Sequence, residues 1–306
     1  MKKDFIAVAD YSPAVINDIL NLALRLKKER ALGANKPILR DRVLAMVFQK
    51  PSLRTRVSFD MAMRHLGGDA LYLSPSEIGL GKRESIADVA RVLSGYVDAV
   101  MARVFAHDHI LELSKWSCIP IINGLSDYNH PCQAMADVLT ILEHHGSLKG
   151  LNVTFIGDGN NVAVSLMYAC SKLGANFTLA APQGFGMPIE SINKAKRFCK
   201  ESQSKLSFVQ DPNSAVEGAD VIYTDTWTSM GQESETAHRE TVFSAYQVNK
   251  QLLLKANANA IVMHCLPAHR GQEITDEVAD GSQSRLFPQA HNRMHAQKAI
   301  LAYLLD

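Results

Sequence analysis

Along nearly all of its 306 residues the chain alternates short apolar runs of strand length with segments whose apolar residues recur at helical spacing. That alternation points to an α/β chain with parallel sheets covered by helices on both faces, because parallel strands need long crossovers between them. Residues 13–31 read as an amphipathic helix, Val43–Phe48 as a buried strand, 70–73 as a short strand and 85–96 as a helix. Two more strands are expected at 98–103 and 119–123, and a helix runs from near His130 to the breakers Gly146 and Gly150. After Gly150 the rhythm restarts, with strands expected at 152–156, 176–180, 206–209, 220–224 and 260–264. Helices are expected between them at 162–173, 190–201 and 242–253. The last helix, 290–305, is expected to pack back on the first unit. The expected fold class is α/β, with two doubly wound parallel-sheet domains: 1–147 together with helix 288–306, and 148–287. The active site is expected in the cleft between them.

The most chemically pointed stretch is Lys50-Pro51-Ser52-Leu53-Arg54-Thr55-Arg56, between the Val43–Phe48 strand and a helix. The carboxyl end of a parallel strand is where such sheets place ligands. Ser52 suits an N-cap, and the first-turn N–H groups lack partners within the helix. Those donors and the helix dipole favour an anion, and Arg54 and Arg56 add positive charge. The plainer alternative is a capped helix with two solvated arginines.

A formal net charge of +1 and a hydrophobic fraction of 47% give no sign of a nucleic-acid or membrane partner. No run approaches membrane-spanning length, and the N-terminus lacks a signal-peptide core. The five cysteines, Cys118, Cys132, Cys170, Cys199 and Cys265, form no C-x-x-C pair. They suit free thiols in a reducing compartment, so a cytoplasmic enzyme is expected.

Other polar clusters follow strands or open helices. Gly157-Asp158-Gly159-Asn160-Asn161 resembles a dinucleotide turn, but Val162 occupies the third glycine position and no acid ends the next strand. Gly79-Leu80-Gly81-Lys82-Arg83 fails as a phosphate loop, since Arg83 replaces the Ser or Thr that would meet magnesium. His130-Pro131-Cys132-Gln133 starts a helix; its imidazole and carboxamide suit a carbonyl oxygen and an amide, or else serve as cap and surface residues. Cys132 reads as a packed thiol. Asp225-Thr226-Trp227-Thr228-Ser229-Met230-Gly231 puts a carboxylate after a strand, suited to a ligand ammonium or to capping a turn. In His264-Cys265-Leu266-Pro267 the histidine and cysteine are adjacent on a strand and should point to opposite faces, so no metal is expected. Arg293 lies on the last helix and reads as a solvated charge unless that helix covers the cleft.

Together these segments resemble the carbamoyltransferase family, and its ornithine branch above the others. The family's Ser-Thr-Arg-Thr-Arg stands here as Ser52-Leu53-Arg54-Thr55-Arg56, and His-Pro-Cys-Gln is intact at 130–133. Asp-x-Trp-x-Ser-Met-Gly is intact at 225–231, and His-Cys-Leu-Pro at 264–267. Leu53 replaces the usual Thr, and Gly79 stands where many relatives carry a Gln that reaches a neighbouring subunit. The resemblance implies transfer of a carbamoyl group from carbamoyl phosphate to the δ-amine of L-ornithine, without cofactor or metal, in a homotrimer or a multiple of one. Related acceptors are N-acetylornithine, putrescine and aspartate; a dinucleotide-binding oxidoreductase is the rival from another class. By the same resemblance Arg103, His130 and Cys265 are catalytic. Ser52, Leu53, Arg54, Thr55, Arg103, His130, Gln133, Cys265, Leu266 and Arg293 would bind carbamoyl phosphate. Asn161, Asp225, Ser229 and Met230 would bind ornithine.

Overall fold

The computed structural model describes residues 4–228 and 233–306, so Ser229 and Met230 lie outside the described residues. The chain forms two compact units. One comprises the chain up to Leu139 together with His291–Asp306, and the other is Thr140–Ala290. Each is a parallel-sheet α/β unit, as the alternation predicts.

The first unit holds strands β1 (Val43–Phe48), β2 (Asp69–Leu73), β3 (Ala99–Arg103) and β4 (Ile121–Leu125), in the order β2-β1-β3-β4. β1 is interior because five of its six side chains are buried, and it pairs on both edges. Asp98 pins its start: one carboxylate oxygen accepts Val43 N–H at 2.8 Å and the other meets Arg42 at 2.7 Å. The order reverses between β1 and β3, which makes their carboxyl ends the place where crossovers diverge and a crevice opens. The turn at Lys50 and the side chain of Arg103 stand there. The β3–β4 register slips between Ala102 and Arg103, so that Gly124 is left over. A Cβ on Gly124 would meet Met101 Sδ at 2.4 Å, so a larger residue would have to displace the Met101 side chain at this slip, which ends regular pairing beside Arg103.

The second unit holds β5 (Asn152–Ile156), β6 (Asn176–Ala180), β7 (Leu206–Val209), β8 (Val221–Thr224) and β9 (Ile261–His264), in the order β7-β6-β5-β8-β9. Its reversal lies between β5 and β8, whose carboxyl ends lead into Gly157–Asn161 and Asp225–Trp227. Phe155 stacks on Tyr223 across this pair, with ring centroids 5.2 Å apart.

Three expectations need correction. The strand expected at 119–123 is Ile121–Leu125, because Pro120 has no N–H for the ladder and pairing begins after it. The helix expected at 242–253 is broken into Thr236–Phe243, a tight turn at Ser244–Tyr246 and Lys250–Leu253. Val248 interrupts it by donating its N–H to Glu273 O at 2.8 Å, and Asn249 caps the second piece. A helix at His107–Trp116 is not among the expected elements; it buries only Ile110 and Leu113, and its N-cap position is Ala106, which gives no side-chain start signal.

Candidate active site

In the first unit the sequence builds an anion-seeking cluster. Ser52 caps the Leu53–His65 helix, its Oγ accepting Thr55 N–H at 3.3 Å and donating to Thr55 Oγ1 at 3.1 Å. Arg293, on the Leu286–Leu305 helix, donates to Thr55 Oγ1 at 3.0 Å and to Gln133 Oε1 at 2.8 Å. The amide of Gln133 in turn donates to the buried carboxylate of Asp137 at 2.8 Å. A continuous chain thus runs Ser52–Thr55–Arg293–Gln133–Asp137. Arg293 is 3% exposed, which overturns the solvated reading of this residue. Because the carbonyl of Gln133 has two lone pairs, it can accept a ligand N–H while still holding Arg293.

His130 precedes the Pro131–His145 helix and is positioned by the loop behind it, where Asn123 donates to Asn129 Oδ1 and Ser126 N–H bonds to Asn129 O. Burial first, and then Arg293, Arg103, Lys50 and Arg54, hold its imidazole well below the usual histidine range. It is therefore a neutral ring that can donate one N–H. The structure brings Arg54, Arg103 and Arg293 to bear on this ring, together with Lys50, which the site assignment left out. Burial and then the neighbouring Arg103 bring Lys50 down to about 8. Its place at the head of the anion turn was the signal for including it.

One reading of this turn changes. Arg56 does not join the cluster; its guanidinium lies 4.0 Å from the centroid of the Tyr72 ring. Leu53 turns its side chain outward, at 76% exposed, so any contribution from it must come through its backbone. Cys132 is a packed thiol, pushed up to about 12 by burial, with Sγ 3.4 Å from Asn123 O.

In the second unit Asp225, at the end of β8, is the hub. Its Oδ1 accepts Thr226 N–H at 2.8 Å and the Cys265 thiol at 2.9 Å, and its Oδ2 accepts the Asn160 amide at 2.9 Å. Of the roughly four lone-pair sites on a carboxylate, three are filled, which leaves room for a ligand ammonium. Asn160, not singled out from the sequence, caps the Asn161–Leu173 helix by accepting from Val162 and Ala163, so Asn161 is the first residue of that helix. The glycine at 159 serves packing: a Cβ there would lie 2.6 Å from the Gly186 carbonyl carbon. That accounts for the glycine without a pyrophosphate.

His264 and Cys265 do not diverge as expected. β9 ends at His264, and the ligand atoms of Asp225, His264 and Cys265 lie within 4.8 Å of one another. Yet both ring nitrogens of His264 are engaged. Nδ1 accepts Leu266 N–H at 2.9 Å, which leaves Nε2 to donate to the buried Glu273 at 3.0 Å. The trio is a hydrogen-bonded support rather than an open set of metal ligands. Leu266 is held by it at φ +58°, a left-handed conformation that leucine rarely adopts. Cys265 and Leu266 thus stand beside Asp225.

Residues 3–143 match the family described as aspartate/ornithine carbamoyltransferase, carbamoyl-P binding domain, and residues 149–304 match its Asp/Orn binding domain. The chain is 50% identical over 303 residues to an ornithine carbamoyltransferase of Pyrococcus horikoshii, covering 99% of this chain and 96% of that one. It is 49% identical to one from Bacillus subtilis, covering 99% and 94%. The solved ornithine carbamoyltransferase of Pyrococcus furiosus superposes with a TM-score of 0.97 at 50% identity, covering 99% of this chain and 97% of that one. The enzyme from Thermus thermophilus gives 0.89 at 40% identity, with both chains covered in full. With both units matched in order and relatives aligned end to end, the chain belongs to the aspartate/ornithine carbamoyltransferase family.

Proposed function

We propose that this chain transfers the carbamoyl group of carbamoyl phosphate to the δ-amine of L-ornithine, giving L-citrulline and phosphate. The observation that carries the reading is the buried chain Ser52–Thr55–Arg293–Gln133 at a helix N-terminus, among Lys50, Arg54 and Arg103. A helix start with converging cations suits a phosphate, and Arg supplies a planar fork for its oxygens. Ser52, Leu53 through its backbone, Arg54 and Thr55 bind the phosphate. Arg103, His130 and Gln133 bind the carbamoyl group, and Cys265 and Leu266 contribute to the same ligand. Asn161, Asp225, Ser229 and Met230 bind ornithine, with Asp225 taking the α-ammonium.

In the reaction the neutral δ-amine attacks the carbamoyl carbon, and negative charge grows on the carbamoyl oxygen. Arg103, the neutral N–H of His130 and Thr55 donate to it; one such donor is typically worth about a hundred- to a thousandfold in rate. The C–O bond to phosphate breaks, phosphate leaves with its electron pair, and the surplus amine proton passes to it or to solvent. The helix N-terminus and Arg54 offset the growing phosphate charge.

The acceptor follows from Asp225. Aspartate brings carboxylates to a carboxylate, N-acetylornithine lacks the α-ammonium, and putrescine lacks the α-carboxylate. Citrulline formation measured with the four acceptors side by side tests this: ornithine should exceed the others by at least about tenfold, and a preference for another acceptor overturns the assignment. We place the enzyme in the cytoplasm, on the ground that all five cysteines are free. No helix among the described residues is long and apolar enough to cross a membrane. We also propose a homotrimer, or a multiple of one, as the family resemblance implies. Light scattering on the purified protein decides the stoichiometry.

A further inference from the structure

Beside the Asp225 hub lies a buried charge that the reaction does not use. Arg239, on the Thr236–Phe243 helix, is 6% exposed. Its Nη1 donates to Asp158 Oδ2 at 2.7 Å and to the Trp227 carbonyl at 3.0 Å, while Nε donates to Glu235 at 2.8 Å. Asp158 belongs to the turn after β5 and Trp227 to the turn after β8. One guanidinium therefore ties together the two turns that flank the reversal in strand order. Its carbon lies 5.0 Å from the Phe185 ring centroid, and the Phe185 carbonyl accepts Gly159 N–H at 2.8 Å, so the first turn is also held from behind.

Stability alone is a poor account of this arrangement. The neighbours Phe185, Trp227 and Phe243 pack against one another, and an apolar side chain would fill such a place without the cost of desolvating a charge. What an apolar side chain cannot do is fix two separate turns in one register through a rigid fork. That register sets the distance between Asn160 and Asp225, which the 2.9 Å amide–carboxylate bond closes. It also sets where Asn161 stands relative to Asp225.

We propose that Arg239 is a positioning residue for the amino-acid substrate: by clamping Asp158 and the Trp227 carbonyl it fixes Asn161 and Asp225 at the spacing that accepts an α-carboxylate and an α-ammonium together. This rests on the reading of Asp225 and Asn161 as the ornithine site. Arg239 itself touches no reacting atom. Asp158 is its counterpart, and the pair acts as a unit.

The test uses the full chain. Citrulline formation is followed with each substrate varied in turn, and L-norvaline, which has ornithine's amino-acid end without the δ-amine, serves as competitor. Arg239→Met should raise the ornithine KM and the norvaline inhibition constant about ten- to a hundredfold, as expected for loss of a charge-assisted hydrogen-bond pair. The carbamoyl phosphate KM should stay within about twofold, a split that a general loosening of the protein does not produce. Arg239→Lys should recover part of the loss, and Asp158→Asn should move the same constants in the same direction. The double variant should be no worse than Arg239→Met alone, since both changes break one clamp. If Arg239→Met does not fold, the isosteric Asp158→Asn carries the same comparison. An unchanged ornithine KM, equal weakening of both substrates, or additive losses in the double variant overturns the proposal. A wild-type protein that makes no citrulline overturns the functional reading instead.

Discussion

The two units solve the same topological problem with opposite electrostatics. In both, chemistry-bearing residues collect where strand order reverses, at the ends of β1 and β3 in one and of β5 and β8 in the other. In the first, burial and then four cations keep one imidazole neutral, and the carboxylate of Asp137 is set behind Gln133. In the second, the buried arginine is matched by Asp158 and Glu235, and one carboxylate, Asp225, retains acceptor capacity. The first is built to be completed by an anion. The second sets three carboxylates against one arginine and offers its negative surplus at Asp225 beside amides, which suits a ligand with an ammonium and a carboxylate. Fold sets where a ligand goes; the charges left in surplus there set which ligand it is.

Breaking the first cluster should produce the largest effect. Arg293→Met removes the link between Thr55 and Gln133 and leaves both polar groups buried without it. Turnover should fall about a hundred- to a thousandfold, in the range for a lost transition-state donor, because Arg293 holds Thr55, one of those donors, and phosphate affinity should fall too. Calorimetry with inorganic phosphate checks the assignment; affinity within about twofold of wild type would remove Arg293 from the anion site.

Next comes the second cluster. Asp225→Asn keeps the shape but removes the charge, so the ornithine KM should rise about ten- to a hundredfold. Inorganic phosphate should bind as before. Should phosphate binding fall with ornithine, the separation of duties between the two clusters collapses.

The difference between the clusters also explains what was legible in the sequence. Residues proposed to meet a ligand through their own chemistry, such as Arg54, His130 and Asp225, stand out because strand, turn and helix signals are local. The β1 and β5 strands fall where their apolar runs end. Residues that act by holding another residue left no such mark. Asn160 lay inside the Gly157–Asn161 turn without being singled out, and Asp137 and Arg239 were not singled out at all. Two of them have partners far along the chain, 65 residues from Asn160 to Asp225 and 81 from Asp158 to Arg239, while Asp137 acts on Gln133 one helical turn away. Arg56 erred the other way: its motif position suggested the anion site, but Tyr72, on the neighbouring strand β2, captures it. The divergence expected of His264 and Cys265 failed because alternation of side chains holds only while the strand lasts, and β9 stops at His264.

The smallest expected effect separates the clusters by pH. Lys50 sits at about 8 in the folded protein, lowered by burial and by Arg103, against about 10.4 when unfolded. Between those values the unfolded chain holds a proton that the folded one has released, so the stability of the ligand-free protein should rise with pH across this window. Phosphate binding should do the reverse, because a bound dianion favours the charged ammonium, and that charge is lost as pH rises through 8. The carbamoyl phosphate KM should therefore climb about three- to tenfold between pH 7.5 and 9.5, a range in which the phosphoryl group is already a dianion. Over the same range kcat should increase, since the attacking amine has a pKa of about 10 and more of it becomes neutral. Opposite slopes for the two constants are the signature of one cluster losing a cation while the other receives a better nucleophile. Lys50→Met should start with the weaker carbamoyl phosphate KM and hold it flat, leaving the rise in kcat intact. If the variant's KM still climbs with pH, Lys50 is not the group that titrates and the surplus charge of the first cluster resides in its arginines alone.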